Sequence, residues 1–181
     1  ASVISDGDRG LALEWVKEVE GNVNSMTSDE KGNLYILSSL SGNLDGDYYS
    51  NKRVYVVAKY TPRGEMVWIK EMYREDYGQL YSMLRLVYQS GRLYFETGIT
   101  NHDVYYDNQL VWTKSAIKPD VFFEVDAQDG SFIRCDGFYN FCNYVDFFSV
   151  DHEKNKIVIG TISDEFIRSM DIQDLSLCLK A

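Results

Sequence analysis

Few residues in this chain are of types that do chemistry by themselves. There are two histidines, His102 and His152, and no Gly-x-Ser-x-Gly elbow accompanies them. A serine or cysteine nucleophile needs a base and an orienting group beside it. His102-Asp103 reads instead as solvated polar punctuation near a turn, so no catalytic residue is assigned. Three cysteines, Cys135, Cys142 and Cys178, are an odd count and not a disulfide framework. Cys135 and Cys142 are close enough in sequence to bridge. With His152 they supply three ligands of the four a zinc ion takes, but no Cys-x-x-Cys pair is present, and structural thiols are the favoured reading. Asn43-Leu44-Asp45-Gly46-Asp47 and Ser5-Asp6-Gly7-Asp8 set oxygen side chains at alternate loop positions, as calcium prefers. Asn43, Asp45 and Asp47 are the candidate metal ligands. Glycine falls between the acids, however, and no Glu closes a twelve-residue loop, so both segments also read as ordinary turns. Apart from that calcium, no cofactor is expected, because phosphate-cradling glycine loops are absent.

Aromatic residues offer the stronger case for a site. Tyr48-Tyr49-Ser50-Asn51 and Tyr105-Tyr106-Asp107-Asn108 repeat one pattern 57 positions apart. Tyrosine joins a rigid apolar body to a hydroxyl handle, which suits protein or glycan recognition. Recurrence at corresponding positions favours packing between neighbouring units, with recognition as the alternative. Trp15 and Trp68 recur in a closing strand and read as core. Trp112 has no counterpart and is the candidate exposed contact. The binding candidates are thus Tyr48, Tyr49, Tyr105, Tyr106 and Trp112.

Composition narrows the partners. The chain has 181 residues, of which 45% are hydrophobic and 14% aromatic, too rich for a disordered segment and enough to bury a core. With 28 acidic and 18 basic residues the net charge is −10. That balance disfavours nucleic acid and anionic membrane, both of which need clustered cations. No apolar stretch approaches the roughly 20 residues of a membrane span, so membrane insertion is not expected. No basic segment followed by an apolar one opens the chain, which reads from Ala1 as the interior of something longer.

The elements that must hold these residues are short β-type runs broken by turn clusters, with no Pro-rich or Gly/Ser linker. Asp29 to Asn33 is a turn before the strand Leu34 to Ser38. Pro62-Arg63-Gly64 is a second turn, Gln89 to Arg92 matches the first, and Asp126 to Gly130 matches the second. Leu80, Met83, Leu84 and Val87 have helical spacing, but Tyr81-Ser82-Met83-Leu84 falls in register with Val23-Asn24-Ser25-Met26, so a strand is favoured there. The fold class read from this is all-β: three four-stranded units over 23–70, 81–135 and 144–181, behind a leading hairpin over 1–17, all in one domain of residues 1–181.

Asp29-Glu30-Lys31-Gly32-Asn33-Leu34-Tyr35-Ile36, followed by Val57-Ala58-Lys59-Tyr60-Thr61-Pro62-Arg63-Gly64-Glu65-Met66-Val67-Trp68, resembles the repeat of bacterial β-propellers. The likeness is closest over 23–70, less over 81–135 and least over 144–181, and long Tyr-rich inserts depart from the family pattern. It implies propeller-like blades and a secreted, periplasmic or cell-surface setting. Three units and a hairpin do not close a ring of 4–8 blades, so a larger propeller or one completed by a partner is expected. The function this favours is a non-enzymatic binding or assembly module. It would recognise protein, or less readily glycan, through the Tyr-rich inserts. An enzymatic propeller using channel carboxylates and a structural segment whose ligand site lies on other blades are the alternatives.

Overall fold

A computed structural model of the chain describes residues 15–80, 85–98, 102–114, 120–138, 147–151, 154, 156–161 and 166–171. Every element is a β-strand, and no helix occurs among the described residues. Val19–Ser28 (β1), Leu34–Leu44 (β2), Tyr48–Tyr60 (β3) and Met66–Arg74 (β4) form an antiparallel meander. Leu86–Gln89 (β5) and Arg92–Gly98 (β6) follow, then a hairpin of Val104–Tyr106 (β7) and Gln109–Trp112 (β8). Asp120–Asp126 (β9) and Phe132–Phe138 (β10) complete a second meander in the order β5-β6-β9-β10. Phe147–Asp151 (β11), Lys156–Thr161 (β12) and Phe166–Asp171 (β13) make a third antiparallel sheet.

The β7–β8 hairpin does not stay with the sheet whose strands it connects. It pairs with β4, Tyr105 opposite Tyr73 and Tyr106 opposite Met72, and makes the first sheet six-stranded. Its turn has positive φ at both Asp107 (49°) and Asn108 (65°), the backbone of a tight hairpin, which short polar side chains tolerate. Ser90 (φ 51°) and Gly91 (φ 78°) make an equivalent two-residue turn between β5 and β6. That turn is shorter than the Asp29 to Asn33 loop, which moves the second meander's opening strand to Leu86, two positions past the register expected from sequence. No helix runs through Gln79 to Tyr88, since Leu86 to Tyr88 are strand; Tyr81 to Leu84 lie outside the described residues.

Burial explains the long apolar runs. Val54 to Ala58 on β3 and Leu93 to Thr97 on β6 are buried without alternation, so these strands are covered on both faces. One face of the first sheet presents Tyr35, Leu37, Tyr55, Val57 and Met72 to Leu93, Phe95, Val121, Phe123 and Val125 of the second. The Phe95 and Phe123 rings stack at 5.0 Å between centroids. The opposite face carries a separate cluster of Ile36, Leu40, Leu44, Val54, Val56 and Tyr60. Each such side chain contributes about 1.5–3 kcal/mol on burial.

One contact occurs twice. Trp68 Nε1 donates to the Gln128 carbonyl at 3.1 Å, and its indole lies over Gly130 in the β9–β10 turn. Trp15 Nε1 donates to the Pro62 carbonyl at 2.9 Å, with its indole over Gly64 in the β3–β4 turn. Both glycines have left-handed φ, 74° and 80°, and a Cβ at either meets indole carbon at 3 Å or less. Of the leading hairpin only Trp15 to Lys17 are described. The Ser5 to Asp8 segment, His152, Cys142, Cys178 and the closing strand Leu175 to Lys180 lie outside the described residues.

Candidate functional site

Three tyrosines build the site from β4 outward. Register sets Tyr105 of β7 opposite Tyr73 of β4, and their rings stack at 5.4 Å with 9° between planes. Tyr77 stacks on the other side of Tyr73 at 5.0 Å and 12°, which makes a column Tyr77–Tyr73–Tyr105. Tyr77 reaches that position through a left-handed backbone, φ 54°, with its N–H donating to the Arg74 carbonyl at 2.9 Å. A bulky residue there is strained by about 1–3 kcal/mol. The turn is held by Arg74, whose guanidinium binds both Asp76 oxygens at 2.9 and 2.7 Å and the Gln79 carbonyl at 2.8 Å. The Tyr73 hydroxyl donates to Asn108 Oδ1 at 3.1 Å and ties the column's middle ring to the β7–β8 turn.

Beside the column lies a cleft of about 400 Å³ lined by Tyr48, Tyr49, Asn51, Lys52, Glu71 and Tyr77. Tyr49 is 68% exposed at its rim, and Tyr48 is half-buried against the apolar cluster of that face. Lys52 Nζ sits 3.7 Å from the Tyr77 ring centroid. Burial pushes the Glu71 carboxyl above the ordinary glutamate range, and the nearby Asp107 charge adds to the effect. Asp107 itself is paired with Lys70 at 2.6 Å, whereas among the described residues no lysine or arginine lies within 4 Å of Glu71. An aromatic wall, a carboxyl group and an exposed ammonium suit recognition of a polar or cationic group.

The residues singled out from sequence separate into two groups. Tyr48, Tyr49 and Tyr105 reach this face. Tyr106 does not: it is 1% exposed, its hydroxyl donates to the Gly130 carbonyl at 2.9 Å, and burial raises its pKa. The two Tyr-Tyr-x-Asn copies therefore occupy different positions. Asn51 lies within β3, but Asn108 is the left-handed residue of a hairpin turn, so the first doublet follows its turn and the second precedes it. Trp112 packs half-buried against the core between the sheets, with its ring N–H buried and unbonded, and is not an exposed contact. Tyr73, Tyr77, Glu71 and Lys52 were missed from sequence. Glu71 and Tyr73 share a strand face by period-two alternation, but only the β4–β7 pairing brings them to Tyr105.

The expected calcium ligands are engaged otherwise. Lys17 Nζ bridges Asp45 at 3.3 Å and Asp47 at 2.8 Å, and Asn43 Oδ1 accepts from the Gly46 N–H at 2.8 Å. The cation these carboxylates hold is the chain's own. His102 Nδ1 lies 3.5 Å from Glu75 and 3.8 Å from Asp76, an ion pair only when the ring is protonated. Cys135 Sγ contacts the Val111 carbonyl at 3.0 Å. A larger cleft of about 610 Å³ lies where the Asp29 to Asn33 loop meets Ser90, Gly91 and Gln128. Its polar groups mostly bond one another. Asp29 accepts from Lys31 N, Asn33 N, Asn33 Nδ2 and the Tyr35 hydroxyl at 2.7–3.0 Å, Arg92 pairs with Asp126, and Lys59 donates to the Ala127 carbonyl.

No family model and no curated protein matches the chain. Among solved structures, one described as the crystal structure of the computationally designed Ika4 protein aligns at 10% identity with a TM-score of 0.42. The alignment covers 90% of this chain and 98% of that one.

Proposed function

We propose that the chain is a non-enzymatic binding or assembly module made of β-propeller blades, with its partner protein bound at the tyrosine column. Strands buried on both faces and four-stranded antiparallel meanders are what a stack of blades requires. The indole-over-glycine contact, made by Trp15 on one turn and Trp68 on another, supports a repeated relation between successive units. The resemblance of residues 23–70 to bacterial propeller repeats extends this to a secreted, periplasmic or cell-surface setting, with further blades or a partner completing the ring.

The observation that carries the binding reading is Tyr49, 68% exposed at the mouth of a cleft walled by Tyr48 and Tyr77. Rigid aromatic rings at a rim give contact area at small entropic cost. The test is to probe peptide and glycan arrays with the labelled chain and with Tyr49→Ala and Tyr77→Ala variants. Peptide signals that both variants lose, at unchanged secondary structure by circular dichroism, support the reading; signals indifferent to both substitutions refute it. Light scattering on the eluted chain tests assembly, and a lone monomer counts against a ring completed by partner association.

A further inference from the structure

We propose that the cleft beside the tyrosine column takes an arginine side chain from a basic segment of the partner protein, and that Lys52 is its internal stand-in. The inference rests on the binding reading above and names the chemistry of its ligand. Three observations carry it. First, Glu71 lines the cleft as a half-buried carboxyl with no cationic side chain of the described chain within 4 Å, while neighbouring Asp107 is already neutralised by Lys70. Second, the exposed Lys52 places its ammonium 3.7 Å from the centroid of Tyr77 without an ion-pair partner among the described residues. The ring face is thus attractive enough to hold a cation, and is held by one that can leave. Third, the net charge of −10 draws basic partners and repels acidic ones.

Arginine fits these features better than lysine. Its planar guanidinium stacks on a tyrosine face and still presents a fork of N–H donors to a carboxylate. It is also weakly hydrated, so it surrenders less on leaving water. Tyr77 is oriented by its stack on Tyr73 and by its left-handed backbone, so its ring needs no reordering on binding. Lys52 is exposed on β3, and among the described residues its side chain makes no hydrogen bond or ion pair, so only its contact with the Tyr77 ring opposes its swinging aside.

The experiment titrates the whole chain with a blocked Gly-Arg-Gly-Arg-Gly peptide and with the same peptide carrying citrulline, which keeps the shape and removes the charge. Binding is followed by calorimetry or amide NMR. The arginine peptide is expected to bind about tenfold more tightly than the citrulline peptide. Glu71→Gln should weaken it by about tenfold, and Lys52→Met should strengthen it about three- to fivefold by removing the competitor while keeping the apolar stem. Both substitutions are at non-core positions, and thermal midpoints within a few degrees of wild type confirm that each variant folds. Equal affinity for the two peptides, or weaker binding by Lys52→Met, overturns the inference. If instead a neutral peptide binds, and Tyr49→Ala abolishes that binding, the arginine assignment falls and the binding reading stands. If nothing responds to Tyr49→Ala or Tyr77→Ala, both fall.

Discussion

Replacing Gly130 by alanine isolates the docking of one sheet on the next. Gly91 supplies the control, because the two residues have nearly the same backbone, φ 74° and 78°. An alanine in that left-handed region costs about 1–2 kcal/mol by itself. At Gly91 nothing lies within 4 Å of the added carbon, so that is the whole cost. At Gly130 the new methyl meets Lys70 Cγ at 2.8 Å and two Trp68 ring carbons at 2.9 and 3.0 Å. The lysine stem can step aside. The indole cannot, because its N–H is bonded to Gln128 and its ring lies 6.1 Å from that of Tyr35. Overpacking of this kind adds about 1–3 kcal/mol. Gly130→Ala should therefore be the worse substitution by that margin, or roughly 2–12 °C in thermal midpoint for a chain of this size. Urea denaturation of both variants, each in wild-type and Trp68→Ala backgrounds, measures it. In the Trp68→Ala background the two glycine substitutions should cost the same. Equal costs in the wild-type background, or an excess at Gly130 that survives loss of the indole, would show that Trp68 does not clamp the turn.

Other substitutions probe the site and its supports. Tyr106→Phe should lose about 1–2 kcal/mol with its bond to the Gly130 carbonyl, while Tyr49→Ala should stay within about 0.5 kcal/mol of wild type, as thermal scans will show. Asp29 is pushed up by burial but pulled further down by the bonds from Asn33, Tyr35 and Lys31, so its folded pKa lies below the unfolded one. Its contribution is present at neutral pH and fades as pH falls through the folded value. Asp29→Asn should cost about 1–3 kcal/mol at pH 7 and progressively less in acid. Glu71 has the opposite sign: its folded pKa is raised, so stability declines as pH climbs from the unfolded to the folded value. Glu71→Gln should flatten that decline in denaturation midpoints read between about pH 4 and pH 7. Chelator should leave the midpoint unchanged, because Lys17 already occupies the space between Asp45 and Asp47; a fall on chelation would restore a metal to that turn.

All-β character was legible because β-branched and aromatic runs alternate with turn clusters at strand-like spacing. The Pro62 to Gly64 and Asp126 to Gly130 turns, and the tryptophan strand that follows the first, could likewise be read directly. Partnership was not legible. Tyr105-Tyr106 copies Tyr48-Tyr49 in letters, yet Asp107 and Asn108 turn the chain immediately afterwards and send the second doublet across to β4. A two-residue turn and a five-residue loop also look alike as polar punctuation, which misplaced the strand opening at Leu86. The tyrosine column and its cleft escaped for the same reason: Tyr73, Tyr77 and Glu71 sit in or just after one strand, and Tyr105 meets them only through a pairing that no local pattern encodes.

The hairpin that crosses to β4 also bears on how the chain is made. Until Val104 to Tyr106 emerge from the ribosome, the outer edge of β4 has no neighbour and presents bare amides and carbonyls to the nascent chain's surroundings. Synthesis arrested between the two meanders would leave an adhesive intermediate, and chaperone dependence should concentrate in that interval.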